Sequence, residues 1–240
     1  MRILACGAHP DDVEIACGAT LALAAAEGHE TAILDLTRGE MGSNGDPELR
    51  RSEAAEAGRI LGVNARYQAA LPDGGLNARD KAQRRSVVEW LRKLAPELLI
   101  IPARENRHPD HDQAHLLLRE GVFLAGLAQF EAEGEPRRPR VVYETMERRL
   151  FRPDFVVDVG AYREKKEASL RAYASQFIRE DGHAPTLIND PAFLEAIRAR
   201  DRYFGELAGC DYAEPFRAVE LLRIESVAAL LPGERKLIDE

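Results

Sequence analysis

Two short segments combine imidazoles and carboxylates at a density that points to a metal site. The first is GAHPDDVEI at 7–15, and the second is ENRHPDHDQAH at 105–115. The side chains in them that could do chemistry are His9, Asp11, Asp12, His108, Asp110 and His111. Capping of helix N-termini accounts for the aspartates, but it explains neither the histidines nor the repetition of His-Pro-Asp.

The spacing within each segment separates possible roles. His9 at a predicted strand end and Asp12 in the first helical turn can both reach one cation. Asp11 points about 100° away around the helix axis, so it is free to act on a water molecule beside the cation. In the second segment His108 and His111 are three residues apart, and both can face the same side of a helical turn.

Two imidazoles and one carboxylate with open coordination positions are typical of a hydrolytic zinc ion. The same ligands describe a non-haem iron(II) site. Asp11 favours hydrolysis, because a carboxylate beside an activated water is a general base. We therefore expect Zn²⁺, with Fe²⁺ or Co²⁺ also possible. The alternatives are an iron(II) oxygenase and a noncatalytic protein that binds sugar or metal.

The elements that must position these segments alternate between strands and helices. The first predicted strands are 2–7, 31–36, 66–69 and 98–101, and the helices that follow them are 13–27, 47–61, 78–94 and 109–130. This order predicts an α/β fold, a Rossmann-like doubly wound and mostly parallel sheet with helices on both faces. Pro10, Pro47 and Pro109 are each expected to be the first residue of a helix.

The second half of the chain is less regular. Residues 131–140 are charged and proline-rich and predict a surface connection. Beyond it we predict strands at 141–145 and 155–159, helices at 162–173 and 191–207, and a loop at 181–190. No element is assigned to the last thirty residues.

Topology is expected to bring the two segments together. In the usual strand order 3-2-1-4, the first and fourth strands are neighbours, and ligands bind beyond their carboxyl ends. The two segments follow these two strands, so they should face each other across the crevice. No GxGxxG follows the first strand, which argues against dinucleotide binding.

Composition limits the remaining function classes. The chain has 240 residues, 45% of them hydrophobic, and a net charge of −8, which predicts one domain over 1–240 with about 20 peripheral C-terminal residues. The sequence has no long basic run of the kind that binds nucleic acid. No apolar segment suits a signal peptide or membrane span, so we expect a cytoplasmic protein without a membrane partner.

Further segments carry a family resemblance. Together with the two segments above, TRGEMGSNGDPELRRSEA, YASQF and ARDRYFGELAGCDYAEPF resemble the PIG-L/LmbE-like N-acetylglucosaminyl deacetylases, most closely the N-acetyl-glucosaminyl-L-malate deacetylases of bacillithiol biosynthesis. The resemblance runs from residue 2 to about 217. It implies a Rossmann-like, zinc-dependent hydrolase that removes the acetyl group from an N-acetylglucosamine-type glycoside, and an assembly of trimers or a hexamer. Chitobiose-like and mycothiol-type substrates also occur in this superfamily.

The resemblance also implies roles for single residues. It makes His9, Asp12 and His111 the zinc ligands and Asp11 the base. It assigns His108 to the oxyanion, Asp110 to a hydrogen bond that orients His108, and Arg50 to a substrate carboxylate. The loop position of Ser43 and Asn44 suggests that they line the sugar pocket.

Two further expectations concern the same site. His115 lies one helical turn beyond His111 and is a candidate ligand on spacing alone. Some relatives place a catalytic tyrosine in the loop before the last long helix, but residues 186–193 contain none. Tyr173 or Tyr212 would have to substitute for it.

Overall fold

The computed structural model describes residues 1–104 and 106–226. Most of the C-terminal segment that was expected to be peripheral lies outside the described residues. The strands are β1 (Arg2–Gly7), β2 (Glu30–Asp35), β3 (Ala65–Gln68), β4 (Leu98–Pro102), β5 (Val141–Thr145), β6 (Phe155–Asp158) and β7 (Ala213–Ala218). The α-helices are α1 (Asp12–Ala26), α2 (Pro47–Leu61), α3 (Lys81–Leu94), α4 (Pro109–Ala125), α5 (Arg163–Arg171), α6 (Ala174–Phe177) and α7 (Pro191–Ala208).

The strands form one sheet in the order β3-β2-β1-β4-β5-β7-β6. Strands β1 to β5 pair in parallel, and β7 lies antiparallel between β5 and β6. The predicted α/β class and the 3-2-1-4 order are confirmed. The carboxyl ends of β1 and β4 therefore lie side by side at the switch point.

Both faces of the sheet are covered, as the near-continuous apolar strands require. Along β1, Leu4 and Cys6 pack with residues of α3 and α4, whereas Ile3 and Ala5 pack with residues of α1. This alternation follows from the two-residue period of a strand. It holds β1 in one register, since a one-residue slip would exchange its two faces.

Helix starts follow the prolines in two of the three predicted places. Pro47 and Pro109 lie in the first turns of α2 and α4, after the caps Asp46 and His108. Pro10 does not begin a helix, and that prediction was wrong. Helix α1 begins two residues later, after an N-cap residue with a left-handed backbone.

The largest differences from the sequence prediction lie beyond residue 125. Helix α4 ends at Ala125, and the predicted helix 162–173 is a 3₁₀ turn followed by α5. Strand β7 lies in the unassigned part of the chain. It contains Pro215, which pairs opposite Val156, and a proline argues against an interior strand. No helix of the described residues is long and apolar enough to cross a bilayer.

Candidate active site

The segments after β1 and β4 face each other in a cavity of about 610 Å³. The sequence-predicted residues among its lining are His9, Asp11, Asp12, Ser43, Arg50, His108 and His111. The predicted meeting of the two segments is therefore observed. It follows from the adjacency of β1 and β4, because parallel strands end at the same edge of a sheet.

Three side-chain atoms form a nearly equilateral triangle in this cavity. Nδ1 of His9 lies 3.2 Å from Nε2 of His111. Oδ2 of Asp12 lies 3.4 Å from that Nε2 and 3.5 Å from Nδ1 of His9. Ligand atoms about 2.1 Å from a tetrahedral ion are about 3.4 Å apart. The triangle therefore fits a divalent cation with one open position.

The charges around the triangle also suit a cation. Burial alone would lower the pKa of His111, but the carboxylates of Asp12 and Glu147 raise it to about 9. For His9, burial is likewise outweighed by hydrogen bonds to Asp110 and Asp12, and its pKa lies well above the usual range. Both imidazoles are thus placed where positive charge is favoured.

Each of the two imidazoles has a carboxylate on its other nitrogen. Nε2 of His9 lies 3.2 Å from Oδ2 of Asp110 and 3.1 Å from Oδ1 of Asp73. Nδ1 of His111 lies 2.9 Å from Oε1 of Glu147. Histidines that bind metal commonly pair their second nitrogen in this way. Sequence reasoning missed Asp73 and Glu147, because each is a single acidic residue in a loop with no local motif.

Asp110 lies in the site but not where the resemblance placed it. Besides His9, its carboxylate accepts backbone N–H groups from Gly74 at 2.7 Å and Leu76 at 3.3 Å. The expected hydrogen bond between Asp110 and His108 is present, but the backbone N–H of Asp110 donates it, and the carboxylate contacts His9 instead. Because α4 begins at residue 109, His108 stays outside the helix while the side chain of Asp110 turns toward His9.

The ring of His108 caps helix α4. Its Nδ1 accepts the backbone N–H of Asp110 at 3.2 Å, so Nε2 carries the proton of the neutral ring. Burial, followed by the charges of His9 and His111, lowers the pKa of His108. The ring also meets His9 edge to face, with centroids 4.8 Å apart. His108 therefore presents a neutral N–H donor at the cavity.

Asp11 is the N-cap residue of α1 and has φ 109° and ψ −28°. A non-glycine residue with this backbone stores about 1–3 kcal/mol of strain and persists only where its surroundings hold it. Burial raises the pKa of Asp11 to about 8, although the charge of Arg50 acts in the opposite direction. In its ionised form, a carboxyl group with such a pKa is a stronger base than an ordinary aspartate, which suits a proton acceptor.

The residues predicted to bind substrate have three different environments. Ser43 is exposed and lines the cavity. Asn44 is buried, and its amide accepts from the N–H of Ala184 at 2.8 Å and donates to the carbonyl of Ala184 at 3.0 Å. Asn44 thus holds the segment before α7 instead of lining the pocket. Arg50 is only 4% exposed, and its guanidinium contacts Asp11.

Three other candidates lie outside the lining of the cavity. His115 directs Nδ1 to the carbonyl oxygen of Pro102, at 3.1 Å. Tyr173 is fully buried with its hydroxyl 3.2 Å from Glu14, and Tyr212 lines a separate pocket between α5 and α7. Among the described residues, the lining of the cavity includes no tyrosine.

A crevice at the switch point of a doubly wound sheet that brings two imidazoles and a carboxylate together, with a buried acid beside them, is typical of metal-assisted hydrolases. Comparisons with known proteins agree. Residues 4–122 match the family model described as PIG-L, GlcNAc-PI de-N-acetylase. The 1D-myo-inositol 2-acetamido-2-deoxy-alpha-D-glucopyranoside deacetylase 2 of Saccharopolyspora erythraea is 32% identical, over 78% of this chain and 88% of the relative.

Two further relatives cover most of the chain. The diacetylchitobiose deacetylase of Thermococcus kodakarensis is 29% identical, over 91% of this chain and 83% of the relative. A conserved protein from Thermus thermophilus, whose crystal structure is known, is 43% identical in sequence. Its structure matches with a TM-score of 0.85 over 93% of this chain and 97% of that one. The chain belongs to the PIG-L family and is an N-deacetylase. The predicted family is confirmed, and closeness to the bacillithiol enzymes stays a prediction.

Proposed function

We propose that this chain is a zinc-dependent deacetylase of an N-acetylglucosamine-type glycoside, with N-acetylglucosaminyl-L-malate as the leading substrate. The observation that carries the proposal is the triangle of His9, Asp12 and His111, with the buried carboxylate of Asp11 beside it. The relatives named above act on chitobiose and on an inositol glycoside, which supports the sugar class.

The proposed roles follow from the geometry. His9, Asp12 and His111 would hold the ion, which supplies a Lewis acid that polarises the amide carbonyl and acidifies a nearby water. Asp11 takes a proton from the attacking water and passes it to the departing amine. The Nε2–H of His108 donates to the carbonyl oxygen as it gains negative charge.

Exposed arginines at the mouth of the cavity support the proposal that the substrate has an acidic aglycone. Arg107, Arg148 and Arg149 line the cavity and are exposed. Within the described parts of the chain, none of the three is paired with a carboxylate. Each of these guanidinium groups can pair with a carboxylate on the substrate. This observation favours the malate conjugate over neutral chitobiose-like or mycothiol-type glycosides.

The test measures amine release by purified, zinc-loaded protein under anaerobic conditions. The substrates are N-acetylglucosaminyl-L-malate, N,N'-diacetylchitobiose and the N-acetylglucosaminyl inositol. We expect the malate conjugate to have the highest kcat/KM. A higher value for either neutral glycoside overturns the substrate assignment but not the deacetylase. Turnover that requires oxygen favours an iron(II) oxygenase, and no hydrolysis even after zinc addition favours a noncatalytic protein.

A matched pair of variants tests whether the exposed arginines at the cavity bind a carboxylate of the substrate. Arg148→Ala should raise KM for the malate conjugate several-fold and leave KM for diacetylchitobiose unchanged. Arg152 is also exposed but does not line the cavity, so Arg152→Ala should change neither value. An equal change of both KM values in Arg148→Ala contradicts an anion-binding role.

We also propose a homo-oligomer built from trimers, as the family resemblance implies. The measurement is the molar mass in solution by light scattering. A mass of one chain, 26.7 kDa, contradicts this proposal and leaves the catalytic one unaffected.

A further inference from the structure

Arg50 reaches from α2 into the segment that carries the base. Its Nη2 donates to the carbonyl oxygen of Pro10 at 2.5 Å and to Oδ2 of Asp11 at 3.2 Å. Its Nη1 donates to the carbonyl oxygen of Gly39 at 3.3 Å. The side chains of Arg50 and Asp11 are 5% and 7% exposed, so this ion pair is shielded from solvent.

The loop after β2 is shaped around this guanidinium. A Cβ atom on Gly39 would lie 2.5 Å from Nη1 of Arg50, and one on Gly42 would lie 3.0 Å from the same atom. Gly39 also has φ +69°, a conformation that side chains rarely adopt. The two glycines of RGEMG therefore leave the space that Arg50 occupies.

The same hydrogen bonds limit what else Arg50 can bind. A guanidinium holds a carboxylate with two hydrogen bonds on either of two faces, and each face uses a hydrogen of Nη2. Both hydrogens of Nη2 are occupied, by Pro10 and Asp11. Among the described residues, Nε of Arg50 has no partner, but one N–H alone does not make such a clamp.

Arg50 therefore contacts the backbone just before the strained residue Asp11 and also the side chain of Asp11. It binds the carbonyl that precedes Asp11 and the carboxylate of Asp11 itself, whose φ is 109°. We propose that Arg50 is a positioning residue, which holds the carboxylate of Asp11 in the orientation needed to take a proton, and that it is not the receptor for a substrate carboxylate. This inference rests on the proposed role of Asp11 as the base.

The kinetic test compares Arg50→Lys with wild type on a neutral and an acidic substrate. A misplaced base should lower kcat about 10²-fold on N,N'-diacetylchitobiose and on N-acetylglucosaminyl-L-malate alike, with unchanged zinc content. A carboxylate receptor would instead raise KM for the malate conjugate alone, and that result overturns the inference. Guanidinium chloride should partly restore kcat in Arg50→Ala, whereas a merely structural role predicts no rescue.

Controls separate positioning from folding. Arg51 is the next residue, exposed and paired with Glu48 at 2.9 Å, so Arg51→Lys should match wild type. If Arg50→Lys does not fold, Gly39→Ala crowds the guanidinium from its other side while retaining it. Gly39→Ala should also lower kcat on both substrates by one common factor, and a wild-type kcat in this variant contradicts the inference.

A crystal structure of Arg50→Lys provides a measurement that is independent of activity. We expect the carboxylate of Asp11 to turn away and the peptide after Pro10 to shift from its wild-type position. An Asp11 that keeps its place overturns the inference even if wild type hydrolyses neither substrate. Inactivity of the wild type, in contrast, overturns only the proposed function.

Discussion

The tripeptide His-Pro-Asp occurs twice in the site, and its two copies have different environments. In the first copy, Nδ1 of His9 faces the side chains of Asp12 and His111, and the carboxylate of Asp11 contacts Arg50. In the second copy, His108 caps a helix through Nδ1, and Asp110 directs its carboxylate to the ring of His9. A residue of the second copy thus orients the histidine of the first.

The difference lies in where each helix begins. Helix α4 starts inside its tripeptide, at residue 109, whereas α1 starts after its tripeptide, at residue 12. A shift of two residues rotates a side chain by about 200° around a helix axis. Identical residues therefore reach different partners, and a motif alone does not assign their roles.

The largest effect should come from the histidine of the first copy. His9→Ala removes an atom of the triangle, so bound zinc should fall from about one ion per chain to nearly none and hydrolysis should fall to background. His115→Ala, which alters a histidine outside the cavity, is the control. Elemental analysis measures the zinc. Full metal content in His9→Ala would show that the ion binds elsewhere.

Asp11→Asn should have the next largest effect. It removes the proton acceptor but no atom of the triangle, so kcat should fall about 10²- to 10⁴-fold at unchanged zinc content. Steady-state kinetics on the preferred substrate measure the change. Wild-type turnover with bound zinc would show that Asp11 is not the base.

His108→Asn separates capping from catalysis in the second copy. Asparagine is a good N-cap residue, so the melting temperature should stay close to wild type. Loss of the Nε2–H donor should lower kcat about 10²- to 10³-fold. A large fall in stability with little change in kcat would mean that His108 only caps α4.

The smallest effect should come from Asp110→Asn. This change weakens the carboxylate contact to His9, and loss of such a partner costs about 10- to 100-fold in metal affinity or activity. Zinc competition with a chelator measures the affinity. The result sharpens the comparison, because zinc affinity should fall in Asp110→Asn but not in Asp11→Asn. The reverse pattern would exchange the roles of the two aspartates.

Much of the fold could be predicted from local pattern. The apolar runs of β1 and β4 and the Asp-Pro or His-Pro starts of α2 and α4 each follow from a few neighbouring residues. Strand β7 could not, because its pairing partners lie about 60 and 70 residues away in β6 and β5 and its Pro215 contradicts a strand pattern.

The candidate site divides in the same way. His9, Asp12 and His111 are predictable because both segments follow strands that end at one switch point. The positions of Asp73 and Glu147 could not be predicted, and neither could the hydrogen bonds between Asn44 and Ala184. Each depends on loops whose paths no local rule predicts.

The sequence by itself determined the residue types of the site and the alternation of strands and helices, because periodicity is a local property. The meeting of the two distant segments followed from the usual strand order of such a sheet. Only the tertiary structure decided which side chain each residue contacts. Whether Asp110 binds His9 or His108, and whether Arg50 binds Asp11 or lies free for a ligand, depends on helix phase and loop path. Both arise from packing over the whole chain.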